Sequence, residues 1–303
     1  MARKPSFGIE IYGYEPRDVV DLAIHAERLG FEGLWIGEHY VIPQTYVGHH
    51  PSRSGTPADK NDPRDDHILG HHVVLSDPWQ LVAAAAAVTQ RLMLGTAITI
   101  VPMTHPLHLA RSLATCHKLS GGRIRIGCGA GWLREEFDTY GIPFDGRGAR
   151  MDESVEILRK ACAGGFFSHE GRNFRFPSVQ ITPTPTPTPV IAGGNTPLAL
   201  RRAARDGDGW INSSRALPLA EALELREALD KERQAQGVAG RPFTYFIRPK
   251  LDAKEIEAFA NEGFDNLVLP GPVVWPNKPG LTLSDKIAGL ERYARELGVE
   301  AKA

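Results

Sequence analysis

Val190-Ile-Ala-Gly-Gly-Asn-Thr-Pro-Leu-Ala-Leu-Arg-Arg-Ala-Ala-Arg-Asp-Gly-Asp-Gly-Trp-Ile-Asn212 holds a strand, a turn, a helix and a second strand in direct succession. Val190-Ile-Ala is a short apolar run stopped by Gly193-Gly194, the pattern of a buried strand. Thr196 and Pro197 then supply an N-cap and a first helical residue with preset φ, opening a helix over Leu198–Asp206. Trp210-Ile-Asn resumes an extended pattern. A strand, a helix and a second strand in this order imply parallel pairing through a right-handed crossover.

The same unit recurs on both sides. Towards the N-terminus, Phe7-Gly-Ile-Glu-Ile, Leu34–His39, Leu92–Val101 and Arg123–Gly129 read as strands. Helices follow them at Pro16–Gly30, Pro78–Ala87 (capped by Asp77), His105–Leu119 and about Arg150–Ala163. Towards the C-terminus, Thr244–Leu251 and Asn266–Leu269 are strands, and Leu219–Gln236, Ile256–Glu262 and Leu283–Leu297 are helices. Eight strands alternating with helices predict an α/β fold, a closed (β/α)8 TIM barrel in a single domain over residues 1–303. A doubly wound open sheet is the alternative, weakened because no GxGxxG turn follows the first strand. Two insertions interrupt the pattern. Residues 40–76, after strand two, are polar and rich in Gly, Pro and His, in the manner of a lid. Residues 164–188, before strand five, hold an aromatic hairpin pattern and then the run Thr182–Pro189, whose alternating prolines demand an extended connector.

The 303 residues carry 35 Lys+Arg against 36 Asp+Glu, a net charge of −1, which lacks the basic footprint of a nucleic-acid binder. No apolar run reaches the ~18 residues of a membrane helix. The opening residues are too short and too charged for a signal peptide. Three widely spaced cysteines without a CxxC give neither a zinc knuckle nor a disulfide framework, so a reducing cytoplasm is the expected compartment.

In such a barrel the chemistry sits at the C-terminal ends of the strands. That rule nominates Tyr12, Glu38, His39, Thr99–Met103, Gly129–Trp132, Gly193–Thr196, Asn212–Ser214, Arg248, Lys250 and Gly271–Trp275. Gly193, Gly194, Asn195 and Thr196 join a strand end to a helix N-terminus, where exposed N–H groups bind anions; a tight turn without a ligand weighs about equally. His39 follows a short apolar strand and is a candidate acid or base, against a purely structural hydrogen-bonded histidine. His49, His50, His67, His71 and His72 match no zinc spacing and read as a polar surface loop, so no metal site is expected.

Gly127-Cys-Gly-Ala-Gly-Trp-Leu-Arg-Glu-Glu-Phe137, Gly141-Ile-Pro-Phe, Arg147-Gly-Ala-Arg-Met-Asp-Glu153, Leu119-Ser-Gly-Gly-Arg, Leu94-Gly-Thr-Ala-Ile98 and the opening stretch together resemble the luciferase-like monooxygenase superfamily, in order and over nearly the whole chain. GWLREEF and RGAR are most similar to its F420-dependent oxidoreductase branch. The resemblance implies a (β/α)8 barrel holding the deazaflavin coenzyme F420, or alternatively FMN, at the strand C-termini. It implies that Gly193, Gly194, Asn195 and Thr196 hold the cofactor phosphate and that His39 is the active-site histidine. It further implies a non-prolyl cis peptide at Ala97–Ile98 behind the ring, and Ala130, Gly131 and Trp132 along ring and side chain. Trp132 stands where sugar-phosphate dehydrogenases of the family carry a glutamate, which points to an apolar or aromatic small-molecule substrate. The alternatives are a two-component FMN monooxygenase fed by a separate flavin or deazaflavin reductase, and a cofactor-less binding barrel. The assembly, a homodimer included, stays open.

Overall fold

The computed structural model describes residues 4–47, 50, 66–70, 72–213, 216–249, 253–275 and 280–300, with backbone alone at 66, 67, 253, 272 and 273. In chain order it builds β1 (Ser6–Ile11), α1 (Pro16–Leu29), β2 (Gly33–Ile36), the single turn α2 (Asp66–Leu69), α3 (Pro78–Val88), β3 (Met93–Thr96), β4 (Thr99–Ile100), α4 (Pro106–Ser120), β5 (Ile124–Gly129), α5 (Arg134–Thr139) and α6 (Arg147–Ala163). There follow β6 (Phe167–Glu170), β7 (Arg175–Val179), β8 (Val190–Gly193), α7 (Pro197–Asp206), β9 (Gly209–Ile211), α8 (Leu219–Ala235), β10 (Thr244–Ile247), α9 (Ala253–Asn261), β11 (Asn266–Pro270), α10 (Gly271–Val274) and α11 (Leu283–Glu296).

Every neighbouring pair in the large sheet is parallel. β1 lies between β2 and β11, and the order continues through β10, β9, β8 and β5 until β5 pairs back onto β3. Eight strands therefore close on themselves, the expected α/β barrel. Inside, Trp35, Ala97, Ile191, Ile211, Phe246 and Val268 pack together as a filled core. Trp35 is fully buried there because neighbouring strands offer glycines: a Cβ on Gly95 would lie 2.9 Å from its ring, and one on Gly8 would lie 3.1 Å from it. Outside, the opposite faces of the strands meet the apolar stripes of the helices, as with Val19, Leu22, Ala23 and Ala26 of α1.

Local signals act where the sequence places them. The Asp77 side chain accepts the N–H groups of Trp79 and Gln80 at 2.8 and 3.3 Å, capping α3. Thr196 accepts from Ala199 N at 3.2 Å and caps α7. Gly30 ends α1 at φ +96°, a left-handed conformation that favours glycine. The second insertion holds the antiparallel hairpin β6–β7, and no regular element covers residues 180–189.

Three details differ from the sequence reading. The expected strand Leu92–Val101 is two pieces, β3 and β4, separated at the Ala97–Ile98 peptide, which is cis as the resemblance implied, and followed by a 3-10 turn over Val101–Met103. There Ile98 occupies space that two glycines vacate: a Cβ on Gly129 would sit 2.3 Å from Ile98 Cδ1, and one on Gly193 would sit 2.9 Å from Ile98 Cγ2. Helix α6 starts at Arg147, directly after Gly146 at φ +81°, and not at Arg150. The first insertion is only partly a loop, since Ile68 and Leu69 of α2 are buried with Tyr46 and Leu133; residues 51–65 lie outside the described residues. Among the described residues no helix is long and apolar enough to cross a membrane.

Candidate active site

His39 emerges just past the C-terminal end of β2. Its side chain is 8% exposed, and its Nδ1 lies 3.0 Å from Oε1 of Glu136, a carboxylate in the first turn of α5 that is 0% exposed. The same Oε1 accepts the Tyr40 N–H at 2.6 Å, so one buried oxygen grips both the ring and the following peptide. Oε2 of Glu136 is buried with no hydrogen-bond partner among the described residues. The ring is braced edge-on by Tyr12 and Trp132, each with its centroid 5.8 Å away. It borders a narrow cleft shared with Tyr12, Gly37, Val74 and Ser76.

Glu38, one residue earlier, turns the other way. Its Oε2 accepts the Ile100 N–H at 2.6 Å and ties the end of β2 to β4. Burial pushes its pKa up to about 8 against the opposing Ile100 N–H, and the nearby charges of Asp77 and Glu136 add to the rise. Glu38 and Glu136 thus stand close enough to interact, in very different surroundings.

Trp132 forms the centre of an aromatic wall. His50 meets its ring at 5.4 Å and Tyr46 at 6.5 Å, both edge-on, while the Tyr12 hydroxyl donates to Ile68 O at 2.7 Å. Part of the first insertion is therefore docked on the strand ends. His50 is only 9% exposed, which corrects its reading as a surface residue: the apolar face of Trp132 gives the imidazole a place to pack. His72 is exposed as expected, whereas His49, His71 and the side chain of His67 lie outside the described residues, as do Ser214 and Lys250.

The turn after β8 has the form of an anion cradle, with one correction. Gly194 takes φ +112°, and its N–H donates to Ile211 O at 3.2 Å, so it is spent on holding β8 to β9. The N–H groups of Asn195 and Thr196, at the head of α7, find no acceptor among the described residues. Asn195 Oδ1 accepts from Ser213 N at 2.9 Å, and Trp210 Nε1 donates to Gly194 O at 2.7 Å, which fixes the turn from both sides. The residues present fit a phosphate, through the main-chain N–H groups of Asn195 and Thr196.

These features meet through the β3–β4 break. Ile98 touches the positions of Gly129 and Gly193, while Gly131 (φ +79°) abuts Ile100 and Phe137, and Ala130 and Trp132 flank it. The RGAR residues brace this loop and its neighbour. Arg147 stacks on Phe144 and donates to Gly131 O at 2.9 Å; Arg150 donates to Pro102 O at 2.9 Å.

Sequence reasoning missed two carboxylates. Glu136 looks like an ordinary acidic residue in a first helical turn, and only the fold brings it to His39. Glu10 pairs inside the barrel mouth with Arg248 through one guanidinium edge, Nη2 to Oε1 at 2.9 Å and Nε to Oε2. The Arg248 N–H also donates to Asn212 Oδ1 at 2.7 Å. A signal for Glu10 was available: Ser6, Gly8 and Glu10 alternate on one face of β1, the face that Trp35 marks as interior.

Residues 5–294 match the family model described as luciferase-like monooxygenase. The chain belongs to the luciferase-like monooxygenase family. This luciferase-like protein is 30% identical over 280 residues to the uncharacterised protein Rv0953c of Mycobacterium tuberculosis, covering 90% of this chain and 91% of that one. It is 27% identical over 209 residues to an F420-dependent glucose-6-phosphate dehydrogenase of Amycolatopsis mediterranei, covering 66% of this chain and 54% of that one. In fold it is similar to the coenzyme F420-dependent tetrahydromethanopterin reductase of Methanopyrus kandleri, with a TM-score of 0.71, 18% identity and coverage of 97% and 98%.

Proposed function

We propose that this luciferase-like protein is an oxidoreductase that uses the deazaflavin coenzyme F420 to move a hydride to or from a small apolar or aromatic substrate. The observation that carries this reading is the buried His39–Glu136 pair beside Trp132, at the strand ends of a barrel whose β8–α7 turn offers free main-chain donors. Support for F420 over FMN comes from the F420-dependent dehydrogenase relative and from the GWLREEF and RGAR residues that frame the site.

F420, when bound, supplies a ring that gives or takes a hydride at its C5 carbon. The chain's own residues do the rest. Asn195 and Thr196 hold the phosphate at the positive end of α7, while Gly193 leaves the space that Ile98 fills and Gly194 supplies the positive φ of the turn. Ala97, Ile98, Ala130 and Gly131 form the surface behind the ring. His39 exchanges a proton at Nε2, the nitrogen that Glu136 leaves free. Trp132, Tyr12 and Tyr46 present edges and faces suited to a planar or apolar substrate, and they exclude water from it.

Titrating the purified protein with F420 and with FMN, followed by fluorescence, tests the reading. F420 is expected to bind at least tenfold more tightly. Equal or reversed affinities favour a flavin monooxygenase fed by a partner reductase, and binding of neither favours a barrel without a cofactor.

A further inference from the structure

We propose that Glu136 is a positioning residue, which fixes His39 as the Nδ1–H tautomer and so makes Nε2 the atom that exchanges a proton with substrate. The inference rests on the reading of His39 as the acid or base of the site. Four observations carry it. The Tyr40 N–H can only donate, and it does so to Glu136 Oε1 at 2.6 Å. His39 Nδ1 meets that same oxygen at 3.0 Å, so Nδ1 is the donor and carries the ring's hydrogen. His39 Nε2 has no hydrogen bond among the described residues, while Tyr12 and Trp132 hold the two sides of the ring and oppose its rotation.

The fourth observation concerns the cost of this arrangement. Glu136 is 0% exposed, and its Oε2 is buried without a partner. Such an oxygen loses hydration with no compensating bond, which counts against stability. An apolar side chain at this position of α5 would pack more favourably, so the carboxylate is explained by what it does to His39. A gripped ring and peptide also hold Nε2 in one place.

The test reads the tautomer directly. Protein labelled with 15N-histidine is examined by long-range proton–nitrogen correlation at a pH where the ring is neutral, with His39→Asn used to assign the His39 signals. Wild type is expected to show the Nδ1–H form. Glu136→Leu is expected to move His39 to the Nε2–H form, whereas Glu136→Gln, whose amide oxygen can still accept both bonds, is expected to keep Nδ1–H. With F420 and an accepted substrate, Glu136→Leu should lower kcat by about 10²-fold or more at a KM changed less than threefold, and Glu136→Gln should retain most of the activity. An Nε2–H signal in wild type overturns the proposal, and this needs no variant to fold. A folded Glu136→Leu protein with the wild-type tautomer overturns it equally. Failure to bind F420 overturns the proposed function and leaves the tautomer result standing.

Discussion

Glu38 shows how much a single residue's surroundings decide. The folded chain favours its protonated form, because burial and the charges of Asp77 and Glu136 push its pKa up to about 8. An unfolded glutamate ionises near the ordinary carboxylate value, so between that value and about pH 8 the folded state holds a proton that the unfolded state has released. Stability from this group is therefore complete at acid pH and is lost as pH rises through the window, by at most about 1.4 kcal/mol per pH unit. Glu38→Gln should flatten that slope, as measured by urea unfolding at a series of pH values; parallel slopes in both proteins would refute the assignment. Gly194 calls for a different experiment. Its φ of +112° strains any side chain, and a Cβ there would sit 3.1 Å from Ala199 Cβ, facing the helix. Gly194→Ala and Gly194→Asp should both melt below wild type. Only the aspartate should further weaken F420 binding, since two like charges ~4 Å apart repel by about 4 kcal/mol at an effective dielectric near 20, nearly a thousandfold. Equal binding by the two variants would place the phosphate elsewhere. His39 and the 193–196 turn were legible in the sequence because strand ends, glycines and caps are local signals. Glu136 was not, because its meaning depends on a partner 97 positions away.

Among the elements, the β6–β7 hairpin hangs on one carboxylate. Glu153 of α6 accepts from His169 Nε2 and Phe174 N with Oε1, at 3.0 and 2.9 Å, and from Asn173 N and Nδ2 with Oε2, at 2.9 and 2.7 Å. Burial would raise the Glu153 pKa, but these donors outweigh it and hold the carboxyl below the usual range. Arg150 covers the Phe174 ring at 4.3 Å on the same side. Glu153→Ala is expected to destabilise by about 1.5–3 kcal/mol and to expose residues 164–188 to limited proteolysis, with the barrel pairing intact. A cleavage pattern like that of wild type would mean that Arg150 and packing suffice. The hairpin was readable from alternating aromatics, while its attachment was not, because a glutamate on a helix looks the same whether it faces water or a hairpin. The break in the third strand escaped the residue pattern for a related reason. Leu92–Val101 is an almost unbroken apolar and β-branched run, and Ile98 packing into space left by Gly129 and Gly193 on other strands distinguishes its interior.

At the scale of the molecule, the lower corner between β3 and β5 depends on Arg123, which ends the Ser-Gly-Gly-Arg run. Its Nε donates to Ser120 O at 2.7 Å, Nη1 to Leu92 O at 2.5 Å and to Thr89 Oγ1 at 3.0 Å, and Nη2 to Thr89 O at 2.8 Å and to Ala86 O at 3.2 Å. One planar group thus ties together the ends of α3 and α4 and the entry to β3. A lysine has the charge but not the fork. Arg123→Lys should lower Tm by roughly 3 °C, the value for a loss near 2 kcal/mol in a chain of this size, with cofactor affinity unchanged; an unaltered Tm in calorimetry would show the corner to be redundant. The barrel itself was legible because it is a count of repeated units, and counting tolerates errors at any one boundary.

Closure of the ring has a consequence for how the protein is made. β1 pairs with β11 from Ser6↔Asn266 to Glu10↔Pro270, Tyr14 accepts from Trp275 Nε1 at 2.6 Å, and Asp18 pairs with Lys286. β1 therefore leaves the ribosome some 260 residues ahead of the strand that covers this edge. At ~5–20 residues per second, about 13–50 s pass before its partner exists. Throughout that interval one edge of β1 stays open, with a row of unpaired N–H and C=O groups that can template mispairing between nascent chains. Production of this protein is thus sensitive to translation speed and to chaperones that shield open strand edges, and a chain released before β11 keeps two such edges permanently.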